Sequence, residues 1–374
     1  MESAIQLTKQ AAIDVLLHNR SGPFDGLPRT AGWGYPEPYT RDLLISALGI
    51  FTSGREELVG ALREVLETLG RNQGPHGQIP SLVQDPENRG ASDTTPLFLL
   101  VLGMFRRHTG EAAFLEAAGA KALTWMAYQT TEDRDLVGQQ PTSDWRDEQW
   151  VLGHGLYVNA LVHGYLRILG LNRQAGAFRE AANRVDGRGF LTPGQPTYAF
   201  WFYKVLRNER CDVLGNSLAI LTGLADGDRA REMVGWIEAQ CEALRRQGEL
   251  ALDLPPCLFP FVQPGDWDWH ARDGIYNPPG SYHNGGVWPF VCGFYIAALV
   301  AAGAYDLAER KLLALTALVQ RSKKGQIHHS GAFGFNEWFR AQDGSPEGEE
   351  WQTWSASMYL YAAACVEARE ALFF

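Results

Sequence analysis

The chain has 374 residues, 45% hydrophobic, 11% aromatic and 20% charged, a composition that supports a large core and excludes disordered, collagenous and fibrous classes. Its 33 Lys and Arg against 43 Asp and Glu leave a net charge of −10, which disfavours nucleic acid or an anionic membrane as partner and points to an uncharged substrate. Nothing Pro/Ser-rich and no charge run separates two halves, so residues 1–374 are read as one domain.

Taken in chain order, apolar residues recur at helical spacing over 2–19, 55–71, 111–129, 150–170, 226–247, 305–321 and 351–370, which predicts amphipathic helices there. The segments 44–53, 96–108 and 287–303 have little polar face and read as helices packed on several sides. Strict alternation over a strand length is hard to find, so the class is all-α. Sharing the chain among about twelve helices leaves about 31 residues for each helix and its connection, as a closed ring of helical hairpins requires. The N-terminal segment lacks the basic region, apolar run and cleavage site of a signal peptide, and no apolar run reaches about 18 residues, so a cytoplasmic protein without a membrane span is expected. The five cysteines, Cys211, Cys241, Cys257, Cys292 and Cys365, are scattered and show no zinc spacing; reduced thiols and no metal are expected. Adjacent His328 and His329 would diverge on any regular element and make a poor metal pair.

Two connections, 248–286 and 322–350, are longer than turns need, and long connections in compact domains are usually functional. Aromatic residues gather in the connections: Trp33, Tyr35 and Tyr39; Trp145 and Trp150; Trp267, Trp269, Tyr276, Tyr282 and Trp288; Phe333, Phe335, Trp338, Trp351 and Trp354. Flat rings beside directed polar groups suit a sugar, which offers an apolar face and a rim of hydroxyls, although closure of the ring ends by packing is the alternative for any one of them. Carboxylates share these strings. Asp144, Asp147 and Glu148 surround Trp145 before a helix, where capping is the ordinary role, and Glu337 lies between Asn336 and Trp338. One protonated carboxylic acid and one carboxylate meet the needs of glycosidic hydrolysis. Arg41 and Asp42 open one apolar helix and Asp93 another, as cap residues or sugar contacts. In Tyr282-His283-Asn284-Gly285-Gly286-Val287-Trp288, the paired glycines permit a turn with positive φ that suits close approach of a ligand. Phosphate-loop and serine-hydrolase signatures are missing, so no nucleotide cofactor is expected.

These strings resemble a group of (α/α)6-barrel glycoside hydrolases, closest in texture to alkaline/neutral invertases and the amylo-α-1,6-glucosidase domain of debranching enzymes. Tyr39-Thr40-Arg41-Asp42 is similar to the Arg-Asp segment that opens such domains, Ser92-Asp93-Thr94-Thr95-Pro96-Leu97-Phe98 to their Asp-Ser-x-Leu-Trp start, and Leu214-Gly215-Asn216-Ser217-Leu218-Ala219-Ile220 to their Leu-Gly-Asn-x-Leu-Ala-Ile segment. Tyr282 to Pro289 resembles Tyr-His-Asn-Gly-Gly-Ser-Trp-Pro, and Glu337-Trp338-Phe339 with Trp351-Gln352-Thr353-Trp354-Ser355 resembles Glu-Tyr-Tyr with Phe-Gln-Thr-Trp-Ser. The resemblance implies a toroid of six helical hairpins and inverting hydrolysis of a small α-glucoside, with no cofactor. Glu337 matches the general base. Asp147 matches the general acid through its Trp-x-Asp register, with Asp144 as the alternative. Tyr39, Arg41, Asp42, Asp93, Asp144, Trp145, His283, Asn284, Trp288 and Gln352 are the implied sugar contacts. Sucrose is the first expected substrate and a glucosylglycerate-type conjugate the second. A sugar 2-epimerase using His154 and His283, and an inactive sugar-binding protein, are the readings from other classes. Oligomeric state is not legible.

Overall fold

The computed structural model describes residues 2–130, 135–323 and 333–374. Its helices are α1 (Glu2–Asn19), α2 (Thr40–Ile45), α3 (Ala47–Thr52), α4 (Glu56–Arg71), α5 (Thr94–Thr109), α6 (Glu116–Ala127), α7 (Leu156–Ile168), α8 (Asn172–Ala182), α9 (Val213–Leu221), α10 (Gly227–Gln247), α11 (Asp273–Tyr276), α12 (Pro289–Ala301), α13 (Tyr305–Val319) and α14 (Thr353–Ala368). The consecutive α2 and α3 form one inner unit, interrupted at Ser46, whose hydroxyl donates back to the Asp42 carbonyl at 2.7 Å. The α2–α3 unit packs on α5, α5 on α7, α7 on α9, α9 on α12, α12 on α14, and α14 returns to α3. A closed inner ring results, with α1, α4, α6, α8, α10 and α13 alternating with it along the chain. This is the (α/α)6 toroid the sequence led us to expect.

Residue patterns explain the two layers. In α4 the buried positions are Leu58, Leu62, Val65, Leu66 and Leu69, one stripe at helical spacing, so only one face is covered. In α12 every residue from Pro289 to Val300 is buried, as a helix enclosed by neighbours on all sides demands. Two inner helices, α7 and α14, fall in segments the sequence pattern marks as amphipathic. Their polar residues are turned to backbone partners rather than to water: the Asn159 amide donates to Val137 and Gly155 carbonyls at 2.9 and 2.8 Å, and Ser355 Oγ donates to the Asn336 carbonyl at 3.0 Å. Residues 111–115 stay outside α6, which begins at Glu116 after Leu115 takes a positive φ of 50°. The short α8 escapes the sequence reading because only Ala175, Phe178 and Ala182 bury.

Short strands also occur, each too brief to leave an alternating pattern. β1 (His154–Gly155), β2 (Trp201–Tyr203) and β3 (Leu206–Asn208) form one antiparallel sheet. β4 (Cys211–Asp212) pairs with β5 (Leu258–Phe259), and β6 (Trp338–Phe339) with β7 (Pro346–Glu347). Several of them lie in the connections entering the N-terminal ends of inner helices, where they hold loop residues in place.

The residues preceding the inner helices are Tyr39, Asp93, Gly155, Asp212, Trp288 and Gln352, and none makes a side-chain capping bond. Tyr39, Trp288 and Gln352 instead line one cavity at the ring's N-terminal rim. All five cysteines are buried and unbridged. Among the described residues no helix is long and apolar enough to cross a membrane, and no cluster could hold a metal. His328 and His329 lie outside the described residues.

Candidate active site

A solvent-open cleft, about 570 Å³ with the solvent at its mouth included, is lined by Thr30, Tyr35, Tyr39, Arg41, Asp42, Trp145, Asp147, Tyr282, His283, Trp288, Glu337, Gln352 and Trp354. The structure therefore brings together Tyr39, Arg41, Asp42, Trp145, Asp147, His283, Trp288, Glu337 and Gln352 of the residues singled out in the sequence.

Aromatic rings form one wall. Trp145 meets His283, Trp288 and Phe290 edge-on at 5.2 Å each, Tyr282 stacks on His283 at 3.9 Å, and Phe290 stacks on Trp354 at 4.2 Å. Within this wall Trp145 Nε1, Trp354 Nε1, Gln352 Oε1 and His283 Nδ1 are buried without a hydrogen-bond partner in the protein. Buried polar atoms are normally partnered, and these four have no partner among the protein's own groups.

Asp147 projects into the opening, its side chain 64% accessible, with one carboxylate oxygen 3.9 Å from His283 Nε2. The residues on either side of it are tied down. Arg146 is wholly buried, its guanidinium paired with Asp212 and lying 4.2 Å over the Trp145 ring and 4.8 Å over Phe200. Glu148 pairs with Arg272, and its carbonyl accepts from the Asn277 side chain at 2.6 Å. Asn277 in turn accepts from the His283 N–H at 3.1 Å. Two loops distant in sequence are thereby fixed against each other. Arg146, Asp212 and Asn277 escaped the sequence reading of the site, because only the fold brings Arg146 and Asp212 together across 66 positions.

Glu337 sits deeper, at 8% accessibility. It enters the cavity from β6, whose Phe339 exchanges backbone hydrogen bonds of 2.8 Å with Val287 of the turn that carries His283. Its own N–H donates to the Glu349 carbonyl at 3.0 Å, and its Oε2 accepts from the Glu349 N–H at 3.3 Å. Gly348, with φ of 68°, makes this approach possible, since a Cβ there would collide with the Glu337 carboxyl.

Burial pushes Glu337 up to about 8, with the charges of Asp42, Asp147 and Glu349 adding and the Glu349 N–H opposing. Burial also pushes Asp42 up to about 7 against the pull of Arg41, and Asp147, though its side chain is largely accessible, is raised by partial desolvation and by the charges of Glu148 and Asp144 against the pull of Arg41. His283 is held well below its ordinary range by burial and by the charges of Arg146 and Arg41, so it is neutral at working pH.

Three implied sugar contacts are not on the cavity wall. Asp93 is buried beneath it, accepting from Arg41 Nε and Nη2 at 2.5 and 3.1 Å and from the Tyr157 hydroxyl at 3.3 Å. Asp144 accepts from the Arg146 N–H at 2.7 Å and from Gln139 at 3.0 Å, a turn bond within the loop. Asn284 clamps backbone, accepting from Val262 N–H at 2.7 Å and donating to the carbonyls of Val262 and Asn277 at 2.9 and 3.0 Å. The positive φ at Gly285, 100°, makes room for Phe261 instead of a ligand. His154 is buried against Phe202 outside the cavity, with Nδ1 3.1 Å from the Val137 carbonyl. Conversely, Tyr35, Tyr282 and Trp354 line the cavity and were legible only as members of the aromatic strings. Thr30, whose hydroxyl accepts the Tyr39 N–H at 3.1 Å, carries no signal at all.

Comparison with known proteins gives the same direction. The family profile described as "Alkaline and neutral invertase" matches residues 204–368. The chain resembles alkaline and neutral invertases. Cytosolic invertase 1 of Oryza sativa subsp. japonica is 30% identical over 164 residues, 41% of this chain and 25% of that protein. Alkaline/neutral invertase E, chloroplastic, of Arabidopsis thaliana is 27% identical over 150 residues, 40% and 22% respectively. The matched region thus spans about a quarter of these relatives, and the profile match includes His283, Glu337 and Gln352 while leaving Arg41, Asp42 and Asp147 outside. In fold, the GH63 mannosylglycerate hydrolase from Thermus thermophilus solved with glucose superposes with a TM-score of 0.67 at 17% identity, covering 94% of this chain and 99% of that one. The same enzyme solved with Tris and D-glycerate gives 0.65 at 16%, covering 95% and 99%. The helical-toroid expectation from the sequence is therefore supported in fold over 94% of the chain, and the invertase-like expectation in sequence over residues 204–368.

The buried pair beneath the Asp147 loop generates a stability prediction. Asp212→Ala leaves Arg146 buried and unpaired, a loss of about 3–5 kcal/mol, measurable as a lowered urea midpoint. A loss under about 1 kcal/mol would show that water or another group replaces Asp212.

Proposed function

We propose that the protein is an inverting glycoside hydrolase of small α-glucosides, working in the cytoplasm, with sucrose as the first substrate to test. The observation that carries this reading is the meeting of Asp147 and Glu337 in one cavity walled by aromatic rings. In the proposed reaction Asp147 gives its proton to the leaving oxygen as the C1–O bond breaks, while Glu337 takes a proton from the water that attacks C1. Glu337 sits on a backbone-pinned hairpin suited to orienting a water; Asp147 stands at the open side, where a leaving group departs. Arg41, Asp42, His283 and Gln352 supply directed hydrogen bonds to hydroxyls, and Trp145, Trp288 and Trp354 cover an apolar sugar face. Sequence kinship with invertases favours sucrose. The position of His154 outside the cavity, against Phe202, weighs against the 2-epimerase reading, which needs two histidines in one pocket.

Proton NMR of the first-formed anomer tests the chemistry. Hydrolysis of an α-glucoside should release β-glucose first, and Asp147→Asn or Glu337→Gln should lower kcat/KM by about 10²–10⁴-fold. Net retention, or full activity in either variant, would sink the mechanism.

The titration of the site sets the pH profile. Asp42 and Glu337 are pushed up to about 7 and about 8, Asp147 is raised beside them, and the three titrate as a coupled set. The productive form needs a proton on Asp147 and none on Glu337. Raising the pH past about 8 removes the set's last proton, and lowering it protonates the base, so kcat/KM against pH should be a bell with its alkaline limb near 8. Asp42→Asn deletes a negative neighbour and should move that limb to lower pH; an upward movement would contradict the assignment.

A further inference from the structure

The cavity is unevenly charged. Asp42, Asp147 and Glu337 line it, and the acidic groups Glu148 and Glu349 stand close enough to act on its tyrosines. Tyr35 is pushed up to about 12, most strongly by Glu337, then by burial and by Glu349. Tyr282 is raised first by burial and then by Asp147 and Glu337, with Glu148 contributing. The cations are each matched. Arg41, the cation on the wall among the described residues, holds buried Asp93 through two hydrogen bonds. Arg146 lies buried beside Trp145, paired with Asp212, and Arg272, on the neighbouring 263–280 segment, is paired with Glu148.

We propose, building on the glycosidase reading, that this site takes glycosides whose leaving group is an uncharged sugar or polyol and rejects those whose leaving group bears a carboxylate. An entering carboxylate would join the ionised members of the Asp42, Asp147 and Glu337 set in a partly dry cavity where like charges repel strongly, and it would have to break an existing ion pair to gain a cation. The shared fold imposes no such limit, since the structural neighbour described above has been solved with D-glycerate bound; the selectivity comes from the charges on this chain's wall.

A matched pair of substrates tests this: α-glucosylglycerol and α-glucosylglycerate differ only by CH₂OH against carboxylate. On the purified full chain at neutral pH, kcat/KM for the glycerol conjugate should exceed that for the glycerate conjugate by at least about 100-fold. Calorimetry with the S-linked analogues, which resist cleavage, should show the same order of affinity. Asp42→Asn should narrow the gap, because it removes one carboxyl from the repelling set, and the gap should widen as the pH rises past about 8 and the set loses its last proton. Equal or better use of the glycerate conjugate would overturn the proposal and point to Arg272, released from Glu148, as its receptor. An unchanged gap in Asp42→Asn would also overturn it, assigning selectivity to shape. If neither O-linked compound is cleaved, the glycosidase reading fails by itself, and the order of the S-linked affinities still decides charge selectivity either way.

Discussion

Everything at this site depends on keeping carboxylates in a place that opposes their charge. Glu337 is buried and pushed up to about 8, and Asp42 to about 7, which in free-energy terms means the folded chain prefers these groups protonated. Such an arrangement survives only where the surroundings hold it. Here the support is the inner ring, whose buried faces fix the loop ends, and a set of backbone bonds and ion pairs behind the cavity wall. The raised proton affinity is also what acid and base chemistry near neutral pH requires, so the strain of burial and the proposed reaction share one cause.

The supporting layer has a consistent form. Arg41 rests on Asp93, which the Tyr157 hydroxyl also engages. Arg146 rests on Asp212 below Trp145. Asn277 and Asn284 use their amides to join the Glu148 carbonyl, the His283 N–H and the Val262 backbone. None of these supports meets the cavity except through the residue it orients. Removing one should therefore disturb geometry before it disturbs chemistry.

The ring itself was readable because segments such as 96–108 and 287–303 are apolar all round, a pattern that only enclosed helices tolerate. Membership of the cavity was readable for the Asp144–Glu148 acids, Glu337 and His283 from polar groups set among aromatic loop strings, whereas the choice of Asp147 and the place of Gln352 came from the resemblance to known glycosidases. Side-chain direction was not readable. Asp144 stands three positions before Asp147, yet it turns inward to Gln139 and the Arg146 N–H; Asn284 adjoins His283 and faces the other way. Direction depends on local backbone turns and on partners far along the chain, and neither leaves a periodic trace. The same limit hid α7 and α14 as inner helices, because polar residues bonded to backbone look like solvent-facing ones in one dimension.

The division of labour between the two carboxylates is the central claim, and α-glucosyl fluoride tests it most directly, because fluoride departs without protonation. Asp147→Asn should hydrolyse this compound at nearly the rate of the unaltered protein, whereas Glu337→Gln should lose almost all activity toward it. The reverse pattern, with Glu337→Gln active and Asp147→Asn inactive, would contradict the account by exchanging the acid and the base.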